Sequence, residues 1–382
     1  MRGKDDGLRP RTAVPEVPLF DLSAQHHALR RELEAAVAEA LAEGTYIVGR
    51  RVVQFEAALA RRCECRFAIG LNSGTDALEL ALRAVGVGPG DEVIVPAFTF
   101  MATALAVTTV GATPVFADIE ADSYGIDVED AARRLSRKTK AILPVHLYGQ
   151  PCDVDGVLRL AKRHGLHVIE DCAQAIGATY RGRPVGSFGA IGCFSFYPTK
   201  NLGAAGDAGA VVTNRPALAE RLARLRNYGT TDKITYWTYG RNSRLDELQA
   251  AVLLVKLRHL DRWNNARRRR AAWYRACLKA EGMDGIGLPR ELPHRRHVYH
   301  LFVIRVEDRA RVQPALAARG IQTAVYYAEP LHRQPIYERA RVRSGSLPRA
   351  EQAAREVLAL PLYPELRHAQ VRRVMHALCA VT

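Results

Sequence analysis

Apolar positions recur every three to four residues across residues 24–43 (AQHHALRRELEAAVAEALAE), which predicts one amphipathic helix stopped by Gly44. Beyond it, short apolar runs alternate with helical patterns. Phe67–Leu71, Glu92–Val95, Pro114–Ala117, Ala141–Val145 and His167–Ile169 read as strands. Asp76–Val85, Phe100–Val110 and Val157–His164 read as helices between them. This alternation predicts an α/β fold whose sheet is mostly parallel and covered by helices on both faces.

From Ser243 the pattern changes. Residues 245–263 (LDELQAAVLLVKLRHLDRW) and 266–280 read as two long helices. YHLFVIRV (299–306) returns to strand and RVQPALAARG (311–320) to helix. A loop then runs to Pro348, with helices after it. The division expected is a flexible leader over 1–17, a large domain over 18–260 and a smaller C-terminal α/β domain over 261–382. The N-terminal helix can pack on the small domain.

Composition narrows the class. Of 382 residues, 48% are apolar and 25% charged, as in a soluble globular protein with a sizeable core. No apolar run is long enough to cross a bilayer, and MRGKDDGLRPRTAVPEVPLF is polar and Pro-rich without the apolar core of a signal peptide. A cytoplasmic protein with no membrane partner is expected. Seven cysteines, at 63, 65, 152, 172, 193, 277 and 379, match no zinc or disulfide framework, so they read as reduced thiols with no metal. The net charge of +15, which includes the run Arg267–Arg270, fits a solvated helix face or attraction of an anionic substrate. No nucleic-acid recognition module accompanies it.

Three segments carry candidate chemistry. In SFYPTKNLG, Lys200 follows a strand and sits in a turn punctuated by Pro198 and Gly203. In IEDCAQ, a strand ends on Glu170 and Asp171, and strand ends in open α/β sheets point into the crevice where ligands bind. Pyridoxal phosphate needs this pair of residue types: a lysine amine to bond its aldehyde, and an acid to keep its pyridine nitrogen protonated. Lysine suits the first task because desolvation readily frees its amine. In LNSGTDALELAL, a Ser-Gly-Thr turn opens a helix. Its N–H groups at Gly74 and Thr75 can seat a phosphate, or Ser73 or Thr75 can simply cap the helix.

The segments NSGTDAL, GPGDEVIVPAFTF, PVHLYGQPCD, VIEDCAQAIGA, FSFYPTKNLGAAGDAGAVVTN and GRNSRLDELQAA follow one another in order. Together they make the chain resemble the DegT/DnrJ/EryC1/StrS sugar aminotransferases over residues 18–376. The resemblance implies the fold type I, aspartate-aminotransferase-like architecture and a set of roles. Lys200 is bonded to pyridoxal phosphate and moves protons, Asp171 pairs with the pyridine nitrogen, and Gln174 lies near the ring hydroxyl. Phe100 stacks on the ring, and Gly74, Thr75 and Ser195 hold the phosphate. Asn242 matches an asparagine that reaches the phosphate from a neighbouring subunit, which implies a homodimer with shared sites; read alone, it could cap the helix starting near Leu245. A family branch with histidine at the lysine position removes a hydroxyl instead, so Lys200 points to transamination.

The resemblance also implies L-glutamate as amino donor and a nucleotide-linked keto sugar as acceptor. The nearest pattern is that of dTDP-3-keto-6-deoxysugar 3-aminotransferases. Tyr197, Lys233, Tyr326 and His332 are the positions expected near the sugar. Two departures lie there: Tyr326-Tyr327-Ala328 replaces the usual His-Tyr-Pro, and Ile234 replaces a tyrosine. C4 amination of a dTDP- or UDP-4-keto sugar and 3-amination of a UDP-3-keto sugar acid therefore stay open, as does a non-catalytic regulator that binds the same cofactor.

Overall fold

The computed structural model describes residues 16–281, 285–340, 342 and 344–382. Its central sheet takes seven strands: β1 (Phe67–Leu71), β2 (Glu92–Pro96), β3 (Thr113–Ala117), β4 (Thr139–Ile142), β5 (His167–Asp171), and later β8 (Ile191–Ser195) and β9 (Gly209–Thr213). Between β5 and β8 lie the short β6 (Thr179–Tyr180) and β7 (Arg183–Pro184), which pair with each other, β6 also pairing with β10 (Arg295–Arg296), away from this sheet. The order β1-β9-β8-β5-β4-β2-β3 leaves β9 as the one strand running against the others. The parallel strands are buried on both faces, which is why they read as continuous apolar runs.

The reversal of β9 has a local cause. β8 and β9 are joined by residues 196–208, which form no crossover helix and turn the chain straight back, so the two strands pair antiparallel. That connection carries Lys200 and leaves it beyond the C-terminal end of β8. The ends of β1 and β5 lie along the same edge. β9 was not legible as a strand, because GAVVT follows a Gly- and Ala-rich stretch.

Several helices differ from expectation. The single helix over 24–43 is two, Ser23–Ala28 and Arg30–Glu43, broken at Leu29, which buries against Val255 and Trp263. Gly44 ends the second at φ 65°, the left-handed conformation a glycine cap supplies. This helix packs on Glu247–Leu257, and its Leu33 and Ala36 lie against the cluster of Leu29, Val255 and Trp263. The extended chain ahead of the helix reaches the C-terminal part of the chain: Val17 N–H donates to Gly320 O at 2.8 Å, and Gln322 N–H to Val17 O at 3.0 Å. The rest of the expected leader, residues 1–15, lies outside the described residues.

The long helices are Glu247–Leu257 and Leu260–Ala280, so the break falls at Arg258–His259. β11 (Phe302–Arg305) pairs antiparallel with β12 (Val357–Leu360). β12 directly follows the helix Pro348–Glu356 and had read as part of it; burial of all four residues of VLAL overrides their helical propensity. Behind this pair Tyr274 stacks on Phe302, ring centroids 4.7 Å apart, in a cluster with Leu360 and Leu378. Among the described residues no helix is long and apolar enough to cross a membrane.

Adjacent residues on a strand face opposite sides, and this separates Glu170 from Asp171. Glu170 points into the protein and accepts the N–H groups of Gly186 (2.8 Å), Phe188 (2.8 Å) and Gly189 (2.7 Å), with His146 Nε2 at 3.1 Å. Cys152 N–H donates to His146 Nδ1, so Nε2 is the protonated nitrogen. These bonds also engage the His146 and Glu170 atoms that would have to serve if His146, Glu170 and Cys172 were to hold a metal. Burial alone would raise the Glu170 pKa, but the bonds and attraction from His146 and the backbone N–H groups win and hold it below its ordinary 4.5. A depressed carboxyl stabilises the fold above the unfolded value and loses that contribution as pH falls through the folded one. Glu170→Gln therefore loses about 3 kcal/mol of stability at pH 7, because its amide N–H faces donors. Urea melts from pH 7 to pH 3 are expected to show wild type converging on the variant below pH 4.5.

Candidate active site

A cavity of about 490 Å³ opens at the C-terminal ends of β1, β5 and β8. Nine of the residues singled out in the sequence line it: Gly74, Thr75, Phe100, Asp171, Gln174, Ser195, Tyr197, Lys200 and Tyr326. They come from separate stretches of the chain and meet because the sheet aligns the strand ends.

Asp171 ends β5 and is 5% exposed. Its Oδ2 accepts the Thr103 hydroxyl at 2.9 Å and its Oδ1 the N–H of Ala173 at 3.1 Å. Burial raises its pKa, and the Ala173 N–H, the Thr103 hydroxyl and Lys200 only partly offset this. Lys200 is the converse. Burial pulls its ammonium down to about 8 against the attraction of Asp171. The backbone N–H of Lys200 closes a turn onto Tyr197 O at 2.8 Å, which sets the side chain at the cavity wall.

The helix Gly74–Ala84 points its N-terminus into the cavity. Ser73 caps it, accepting Asp76 N–H at 3.1 Å. The cap and the anion seat are compatible, since the first-turn N–H groups of Gly74 and Thr75 have no intrahelical acceptor. Ser195 packs so close that a Cβ on Gly74 would lie 2.5 Å from the Ser195 Cβ. Glycine is what lets β8 approach this helix end.

Opposite, Gln174 Oε1 accepts Tyr148 N–H at 2.7 Å, which turns its Nε2 toward Tyr327 Oη at 3.1 Å. The Tyr327 ring lies 6.0 Å from that of Phe100, whose side chain is exposed on the cavity. Tyr327, Thr103 and His300 contribute to the site without having been singled out. Tyr327 carried a weak signal as the neighbour of Tyr326, whereas Thr103 sits in the unremarkable helix MATALAVTT.

Three expected residues lie elsewhere. His332 is buried with Nε2 3.1 Å from Glu351 Oε1 and its ring against Phe116, outside the cavity lining. Lys233 is exposed in the loop after the helix Pro216–Leu225, at φ 61°. Asn242 is also exposed, its backbone bridged to Asn227. It does not cap a helix: Asp246 holds the cap position of Glu247–Leu257, without a side-chain bond.

The residues present fit pyridoxal phosphate. A buried carboxyl without a full set of donors suits a protonated ring nitrogen, a desolvated amine suits an aldehyde, and an open helix N-terminus suits a phosphate.

Comparison with known proteins agrees. The model of the DegT/DnrJ/EryC1/StrS aminotransferase family matches residues 27–379. The chain is 50% identical to the dTDP-3-amino-3,4,6-trideoxy-alpha-D-glucose transaminase of Streptomyces venezuelae, over 97% of each sequence. The crystal structure of S. venezuelae DesV in complex with a ketimine intermediate superposes with a TM-score of 0.93, at 50% identity, over 96% of this chain and 98% of that one. NtdA from Bacillus subtilis, solved with bound cofactor PMP, gives a TM-score of 0.88 at 34% identity, over 98% of this chain and 86% of that one. The chain belongs to the DegT/DnrJ/EryC1/StrS aminotransferase family.

Proposed function

We propose that this chain is a pyridoxal-phosphate aminotransferase that moves an amino group from L-glutamate to a nucleotide-linked keto sugar, a dTDP-3-keto-6-deoxyhexose. The observation that carries the reading is the meeting of Lys200, Asp171 and the Gly74 helix end in one cavity. When bound, the cofactor supplies an electron sink for the carbon that loses its proton. Asp171 holds the proton on the ring nitrogen. Lys200, whose ammonium burial pulls down to about 8, would give up its proton far more readily than an exposed lysine and would move a proton between the substrate carbon and the cofactor C4′. Gly74 and Thr75 N–H groups and the Ser195 hydroxyl would hold the phosphate, Phe100 would cover a ring face, and Gln174 would lie near the ring hydroxyl. Tyr197 and Tyr326 stand at the sugar.

The working unit in this reading is a homodimer with shared sites. Asn242 is not among the residues lining its own cavity, and Ile234, Tyr236, Trp237 and Tyr239 of the neighbouring loop are exposed, as are Ile47, Val48 and Val53. Apolar surface of this extent is what a second copy covers. Lys233, on the same loop, then reaches the partner's sugar. The division into domains over 18–260 and 261–382 is part of the same reading, supported by the separate cluster around Tyr274 and Phe302. Seven free cysteines support a cytoplasmic setting.

Three outcomes test this. Asp171→Asn is expected to retain the cofactor, since lysine and phosphate contacts remain, while the glutamate half-reaction slows by roughly 100-fold or more. Near-wild-type stopped-flow rates would show that another acid serves. Enzyme loaded with pyridoxamine phosphate is expected to regain the aldehyde cofactor with a dTDP-3-keto sugar at higher kcat/KM than with 4-keto or UDP sugars. A preference for a 4-keto sugar moves the enzyme to the other branch, and no conversion with glutamate or any sugar favours the regulator. Lys200→Ala and Asn242→Asp, each nearly inactive, are refolded together. With shared sites, mixed dimers hold one intact site, and about a quarter of wild-type activity returns for random pairing. No recovery, with mixed dimers shown to form, removes Asn242 from the site.

A further inference from the structure

Immediately after Lys200, the Asn201 side chain enters a buried polar chain. Asn264 Nδ2 donates to the Ile176 carbonyl at 3.0 Å. Asn201 Nδ2 donates to Asn264 Oδ1 at 2.8 Å and to the Val298 carbonyl at 3.1 Å. Backbone carbonyls only accept, so both amide orientations are forced. Asn201 Oδ1 is thereby left as an acceptor, 3.2 Å from His300 Nδ1, which must carry the proton. Asn264, Asn201 and His300 are 3%, 5% and 5% exposed. A Cβ on Gly177 would lie 2.6 Å from Asn264 Nδ2, so glycine there makes room for the chain.

The backbone of His300 is gripped on both sides. Its N–H donates to Tyr148 O at 2.9 Å, and its carbonyl accepts the Arg267 guanidinium at 3.1 Å. His300 lines the same cavity as Lys200 and Asp171. Burial, then the cations Lys200 and Arg267 and the neighbouring His297, hold its pKa well below the ordinary value, so the ring is neutral. Nε2 therefore keeps its lone pair, and it has no hydrogen-bond partner among the described residues. Lys200 Nζ has none either.

We propose that His300 is a positioning residue for Lys200: its Nε2, kept an acceptor by the Asn264–Asn201 chain, takes an N–H of the Lys200 amine and so aims the amine's lone pair at the substrate carbon. The proposal rests on the reading of Lys200 as proton carrier. The opposite tautomer would present an N–H to Lys200 and turn it away. A chain of two buried asparagines costs desolvation at every member unless all are satisfied, and here it delivers one defined group to the cavity.

The test pairs two substitutions. His300→Asn keeps a donor for Asn201 Oδ1 but has nothing at the Nε2 position, whereas His300→Gln places a carbonyl there. Competitive acetylation of the cofactor-free protein, read by peptide mass spectrometry, follows the titration of Lys200. An acceptor favours the ammonium form, so His300→Asn is expected to move that titration down by about half to one pH unit. The glutamate half-reaction of the loaded enzyme is expected to slow roughly 10- to 100-fold. His300→Gln is expected to recover the titration and to bring the rate within about 3-fold of wild type. His300→Asn with both readouts unchanged would overturn the proposal. Should that variant not fold, 15N-histidine NMR of the wild type decides it: a proton on Nδ1 supports the proposal, and a proton on Nε2 defeats it. Borohydride reduction of the loaded enzyme separates the two levels. A label on a lysine other than Lys200 removes the Lys200 reading and this proposal with it, whereas a label on Lys200 with unchanged His300→Asn behaviour removes only the proposal.

Discussion

Taking a carboxylate out of water costs several kcal/mol unless donors or a cation replace the lost solvent. β5 ends on two buried carboxyls that meet this constraint differently. Glu170 is given three backbone N–H groups and His146, and its pKa falls. Asp171 is given one hydroxyl and one N–H, and its pKa rises. The first is a fully satisfied strut that holds the loop 186–189 against the sheet. The second is left with unmet capacity, facing a cavity whose other ionisable wall, Lys200, is also driven toward neutrality. A site with both groups underserved is complementary to a ligand that brings a ring-nitrogen cation and an electrophilic aldehyde. The preparation of the cavity is electrostatic before it is a matter of shape.

The sheet makes that arrangement possible. Reversal of β9 brings the chain straight back beside β8, and the Lys200 connection is thereby pinned between two paired strands. The helix end at Gly74 is fixed from two sides, by Ser195 of β8 and by Gly209 of β9, where a side chain would collide with the Ser73 carbonyl. Lysine, carboxyl and anion seat thus sit on rigid elements, and the residues most distant from them in sequence, Tyr326 and Tyr327, close the far wall.

Much of this was legible in the sequence, for physical reasons. Doubly buried parallel strands leave apolar runs that cannot be mistaken, and strand-end carboxyls and a Ser-Gly-Thr helix start announce themselves locally. The family motifs extended this to Phe100, Gln174 and Ser195. What was not legible depended on tertiary partners. The break at Leu29 exists because Leu29 finds Val255 and Trp263, and VLAL is a strand because Phe302–Arg305 lies beside it. Thr103, Tyr327 and His300 acquire roles only through Asp171, Gln174 and Asn201. His332 read as a site residue from its motif, yet Glu351 and Phe116 hold it away from the cavity.

The central claim is that Asp171, and no other group, keeps the cofactor ring nitrogen charged. Its most direct measurement is 15N NMR of enzyme loaded with cofactor labelled at that nitrogen. The expected result is a protonated nitrogen from pH 6 to 9 in wild type, and loss of that proton in Asp171→Asn with the cofactor still bound. A nitrogen that is unprotonated in wild type, or that stays protonated in Asp171→Asn, would contradict the account.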